Sequence, residues 1–175
     1  MIKKLKINNM KRIYTFLLLL SLTIAGYEIS AQTNIVTWTF PSGSANITAD
    51  GGITANLTKT ISTSATGALS FLIGAGGTPD SCIRSLGWDN GMDAKYWQIE
   101  FVTSGYKDLT ISSKQRSSAT GPKDFKIQYM VGSSGTWTDL PGATNIITAD
   151  NFTSGVINNV VLPVECNNQT SLSLR

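Results

Sequence analysis

Histidine is absent from the 175 residues. That omission removes the general base of Ser-His-Asp and Cys-His catalysis and the commonest nitrogen ligand of zinc. Charge is scarce as well, with Asp, Glu, Lys and Arg making up 14% of the chain. The net charge of +3 is concentrated at the start: five of the 14 Lys and Arg but only one of the 11 Asp and Glu precede Gln32, leaving nine against ten, a net −1, in the remainder. A nearly neutral chain lacks the field that draws proteins onto phosphate backbones or anionic membranes, so nucleic acid is not expected as a partner. Glycoside hydrolysis needs two carboxylates flanking a cleft, yet Glu100 and Asp124 fall on the outer faces of separate expected strands. No enzyme is indicated. Helical periodicity is missing beyond the N-terminal segment, and cysteine is limited to Cys82 and Cys166.

Lys3, Lys4, Lys6, Lys11 and Arg12 lead into an apolar block at 13–24, and Ile29-Ser30-Ala31 brings small residues ahead of Gln32. A basic head, a short apolar core and a small-residue cleavage site make a secretory signal peptide over 1–31. The core is about a dozen residues long, short of the roughly twenty that span a bilayer. Cleavage is expected after Ala31, giving a secreted or cell-surface protein with no membrane insertion once the signal is removed. An oxidising compartment makes a Cys82 to Cys166 disulfide the default, closing a loop of about 84 residues for roughly 4 kcal/mol. Two free thiols, or pairing of Cys166 with a cysteine beyond this stretch, are the alternatives.

Residues 32–175 suffice for one domain with a core and are too few for two. Short alternating runs at 35–40, 53–57, 68–73, 82–86, 96–103, 108–114, 124–131, 136–140, 156–162 and 171–175 are separated by turn clusters rich in Gly, Pro, Ser and Asn. Trp97, Ile99 and Phe101 share one face against Tyr96, Gln98 and Glu100; Phe125, Ile127, Tyr129 and Val131 share another; Leu109 and Ile111 do the same. One apolar face per strand predicts an all-β fold, an antiparallel two-sheet β-sandwich over 32–175. The alternation of Leu172 and Leu174 is still running at Arg175, so the sandwich is expected to be incomplete at its C-terminus, with an exposed edge.

Gly87-Trp88-Asp89-Asn90-Gly91, Lys95-Tyr96-Trp97-Gln98-Ile99, the run from Ser113 through Tyr129, and Gly135-Thr136-Trp137-Thr138-Asp139-Leu140 together resemble an accessory β-sandwich of large secreted bacterial proteins. Such proteins carry lamin-tail, endonuclease/exonuclease/phosphatase or type IX sorting domains elsewhere. The hairpin formed by Phe125-Lys126-Ile127-Gln128-Tyr129, a glycine turn and Thr136-Trp137-Thr138-Asp139-Leu140 is similar to the centre of discoidin-like, galactose-binding-like jelly rolls. The resemblance implies a jelly roll used as a binding or spacer module, further domains in the same polypeptide, and no catalysis.

Glycan recognition needs aromatic rings for the apolar faces of sugars, with amides and charged groups for the hydroxyls. Trp88, Tyr96, Gln98, Gln115 and Arg116 are the candidates of those types on turns and outer faces. The competing reading has Trp88 plugging one end of the core and Arg116 bracing loops through Asp89 or Asp93. Asp89, Asn90 and Asp93, joined by Asp50 or Glu100, would supply oxygen ligands for a structural calcium ion, although Asx turns account for the same residues. No other cofactor is indicated. Four Asn-x-Thr triplets begin at Asn46, Asn56, Asn151 and Asn168 and match the glycosylation pattern, as chance allows in a chain rich in both residues. The expected function is a non-catalytic extracellular module binding carbohydrate or a cell surface; the alternative is a structural spacer or adhesin-type domain with no small ligand.

Overall fold

Hydroxyl-rich, weakly charged segments broken every few residues by Gly, Asn or Pro favour short strands over helices, and short strands are what the chain forms. The computed structural model describes residues 32–41, 45–74 and 81–175; the expected signal peptide at 1–31 lies outside the described residues, as does most of the glycine-rich turn after position 74. In chain order the strands are β1 (Val36–Thr37), β2 (Gly51–Gly52), β3 (Ile61–Thr63), β4 (Ser70–Ile73), β5 (Ser81–Arg84), β6 (Trp97–Phe101), β7 (Thr110–Gln115), β8 (Asp124–Phe125), β9 (Gln128–Val131), β10 (Thr138–Asp139), β11 (Ile146–Ile147), β12 (Gly155–Val161) and β13 (Leu172–Leu174). Two 3-10 turns, Thr54–Asn56 and Val164–Cys166, complete the inventory among the described residues.

Every named pairing is antiparallel. The largest sheet runs β10-β9-β13-β6-β3. At its centre Leu172 lies between Phe101 and Val131, Ser173 between Glu100 and Met130, and Leu174 between Ile99 and Tyr129. The C-terminal strand is therefore paired on both sides, and β10 and β3 are the edges of this sheet. A second ladder joins β7 to β12, with a register shift between Ile157 and Val160. At that bulge Asn159 takes a left-handed φ of 50° and its N–H donates to the Ser112 hydroxyl at 2.9 Å.

Phe101, Tyr129, Leu172 and Leu174 from the large sheet, and Ile127 just ahead of β9, pack with Leu109, Ile157 and Leu162 from and beside the β7–β12 ladder, with Leu140, Ala143 and Ile146 filling between. The fold is β-sandwich-like and all-β, with Phe101, Leu109, Ile127 and Tyr129 inward as the alternation predicts. Three expectations change. Residues 53–57 form a 3-10 turn, because Asn56 is fully buried and its side chain bonds backbone: Nδ2 donates to the Ile35 and Val102 carbonyls at 2.9 Å each, and Oδ1 accepts from Val102 N–H at 2.8 Å. Residues 124–131 divide into β8 and β9, which pair with different partners. The disulfide is absent: Cys82 on β5 and Cys166 in the second 3-10 turn are free thiols. Cys166 is buried within the core, and Cys82 is engaged with the Ile73 carbonyl across the β4–β5 hairpin.

Candidate functional site

Alternation that buries Trp97, Ile99 and Phe101 must turn Tyr96, Gln98 and Glu100 to the opposite face of the large sheet. The same parity places Gln128 and Met130 of β9, Ser173 and Arg175 of β13, and Asp139 of β10 on that face, since Asp139 is the partner of Gln128. Because β13 sits centrally, Arg175 at its end is delivered between elements distant in sequence. Its guanidinium lies over two rings, 5.0 Å from the centroid of Tyr96 and 4.4 Å from that of Trp137. Arg175 N–H donates to the Gln128 carbonyl at 2.9 Å and Gln128 N–H to the Arg175 carbonyl at 2.8 Å, which extends the ladder and fixes the register of the pair.

Side chains continue the connection. Arg175 Nε donates to Gln128 Oε1 at 2.8 Å, and Gln128 Nε2 donates to Asp139 Oδ1 at 2.6 Å. Lys126 Nζ lies 3.2 Å from both Asp139 Oδ1 and Asp93 Oδ1. The Gln128 amide foremost, then Lys126, holds the Asp139 carboxyl below the usual carboxylate range, while the hydrogen bonds Lys126 donates to Asp139 and Asp93 raise its ammonium. Both groups stay charged at neutral pH. The terminal nitrogens of Arg175, the Trp137 indole N–H, the Tyr96 hydroxyl and the Gln98 amide have no hydrogen-bond partner among the described residues. The arrangement is two half-buried rings separated by a guanidinium, bordered by unused donors and acceptors.

Of the residues expected to bind ligand, Tyr96 and Gln98 belong to this face; the other three do not. Gly87, with φ +79° and no room for a Cβ against Thr66, turns the chain so that Trp88 folds inward. The Trp88 ring lies 6.0 Å from Trp97 and 6.1 Å from Phe125, and its N–H donates to the Ser85 carbonyl at 2.9 Å. Trp88 is a packing residue, because an indole with its polar edge satisfied gains most from apolar contact. Gln115 pairs with Gly155 in the β7–β12 ladder. Arg116 braces loops as the competing reading held, but through Asp150, at 2.6 Å, and over the Phe152 ring at 5.7 Å, not through Asp89 or Asp93.

Beside Asp89, Asn90 and Asp93, where calcium was expected, the chain places a cation of its own. Lys95 Nζ donates to the Gly87 and Asp89 carbonyls at 2.6 Å each, and Asp93 turns away to Lys126. Among the described residues no group of three or more acidic or cysteine side chains is gathered to hold a metal ion. Asn90 and Asp93 both adopt φ 53°, the left-handed turn geometry these residue types tolerate best. Asp50, also considered a ligand, accepts instead from Thr39 N–H, Thr39 hydroxyl and Phe40 N–H through Oδ2. The Asn-x-Thr triplets have local uses too: Asn46 and Asn151 accept from the N–H two residues on at 2.9 Å, and Asn56 is the buried pin described above.

Trp137, Arg175, Gln128, Asp139 and Lys126 were not among the expected site residues. Parity within 124–131 and 136–140 already aligned Lys126 with Gln128 and Trp137 with Asp139. Strand order, which brings Arg175 between them and Tyr96, leaves no local trace. Comparison of the chain with protein-family models, curated proteins and solved structures finds no match.

Proposed function

We propose that the chain is a non-catalytic extracellular binding module, built as a jelly roll, whose large-sheet outer face takes carbohydrate. The Tyr96–Arg175–Trp137 stack carries the reading. Pyranose rings present apolar C–H faces that pack on aromatic side chains, and their hydroxyls are read by amides, carboxylates and guanidinium groups placed around those rings. Tyr96 and Trp137 supply the first chemistry; Gln98, Gln128, Asp139 and Arg175 supply the second. A five-stranded antiparallel sheet facing a second ladder across one core supports the jelly-roll assignment. The signal-like segment 1–31 and the likeness to accessory domains of secreted proteins support a place outside the cell, among further domains of one polypeptide.

Titration against a panel of soluble polysaccharides tests the proposal. Trp137→Ala and Tyr96→Ala are each expected to weaken binding about tenfold, on the scale of one lost aromatic contact. Trp88→Ala is expected to lower the melting temperature while leaving affinity in the residual folded protein unchanged. A folded wild-type chain that binds no polysaccharide sinks the proposal. It would favour the second reading, a structural spacer, for which one observation speaks: the guanidinium between the two rings belongs to the chain itself, so the stack is satisfied without a guest.

A further inference from the structure

We infer that the ligand of this face is an acidic saccharide, and that the outer edge of the Arg175 guanidinium takes its carboxylate. The inference rests on the carbohydrate-binding reading and narrows it to a chemical class. Charge accounting around the face carries the argument. Lys59 is paired with Glu100 at 3.4 Å, and Lys126 is shared between Asp93 and Asp139. Among the described residues no Asp or Glu side chain lies within ion-pair distance of Arg175; it is steered by a neutral amide and by two rings.

A guanidinium held in this way is prepared for an anion. Stacking between rings replaces part of its hydration and fixes its plane. Engagement of Nε by Gln128 fixes its rotation, and Gln128 is itself held by Asp139. What remains is the pair of terminal nitrogens, the side of the fork that matches the two oxygens of a carboxylate. Lys126, 3.2 Å from Asp139 and shared with Asp93, offsets part of the Asp139 charge. A uronic acid unit satisfies all of these features together: its ring packs on Tyr96 or Trp137, its carboxylate meets Arg175, and a hydroxyl reaches Gln98.

The test compares polygalacturonate with its carboxyl-reduced, neutral counterpart of the same linkage, by calorimetry on the intact chain. At low salt the acidic polymer is expected to bind at least about tenfold tighter than the reduced one, with an affinity that falls as salt is raised. R175Q is expected to bind both polymers equally, and R175K to keep a reduced preference, since an ammonium offers charge without the fork. Should R175Q fail to fold, R175K and the salt dependence still decide. Equal binding of the two polymers by the wild-type chain, a preference that survives R175Q, or a stronger preference for a sulfated polymer overturns the inference. Binding of neutral polysaccharides only removes the acidic assignment and leaves the function proposed above standing; binding of no polysaccharide removes both.

Discussion

Tyr129 is buried among core side chains, yet its hydroxyl reaches out to donate to Glu165 Oε1 at 2.6 Å. A phenol beside a carboxylate resists becoming a second anion, so the hydrogen bond to Glu165, then burial, pushes its pKa up to about 12. The same bond holds the Glu165 carboxyl below its ordinary value. The signs follow from linkage. Stabilisation from the raised phenol is fully present below the unfolded-state value of 10.0 and is lost as pH climbs toward about 12. Stabilisation from the lowered carboxyl is present above 4.5 and is lost as pH falls. Phenolate absorbance is therefore expected to show one tyrosine titrating near pH 12, and Glu165→Gln to move it back toward 10.0. Superimposable titrations of the two proteins would rule this out. At this scale the sequence was legible where parity decides, as for Tyr129 inward and Tyr96 outward. Trp88 was not, because a turn residue has no parity to follow.

Elements are shorter than the alternation suggested, and the reasons are particular. Residues 124–131 alternate without interruption, yet β8 pairs with β11 while β9 pairs with β10 and β13. A single hydrophobic pattern thus serves two ladders, and pattern alone cannot say where one partner gives way to the next. The segment 53–57 carries strand-forming residues but is governed by Asn56, whose three backbone hydrogen bonds span 21 and 46 residues of sequence. Local propensity yields to such long-range satisfaction. Asn56→Ala strands two carbonyls and one N–H in a buried site and is expected to cost about 3 kcal/mol, on the scale of unsatisfied buried groups. Urea denaturation measures it; a loss under about 1 kcal/mol, the worth of one ordinary hydrogen bond, would mean water replaces the side chain.

The whole molecule holds two thiols where export suggested a bridge. Burial raises the Cys82 thiol and pushes Cys166 up to about 11, so both are poor nucleophiles near neutrality. Alkylation in denaturant without reductant is expected to label both cysteines, with a melting temperature indifferent to reductant. A single mass two hydrogens lower and a reductant-sensitive melt would restore the disulfide. Fold class and the inward faces could be read from the chain because period-two alternation is a local signal. Sheet order could not, and the candidate site depends on it: its rings and guanidinium come from β6, the approach to β10 and the end of β13.

That dependence has a temporal side. In a chain made from its N-terminus, β6 and β9 leave the ribosome well before β13, and the gap between them can be closed only by Leu172–Leu174. Until then both strands present open hydrogen-bonding edges, and the core lacks Leu172 and Leu174. The sheet therefore cannot close before those three residues are made. The pairing that seats Leu172–Leu174 also places Arg175 over the Tyr96 and Trp137 rings. Completion of the sheet and assembly of the candidate face thus depend on the same strand.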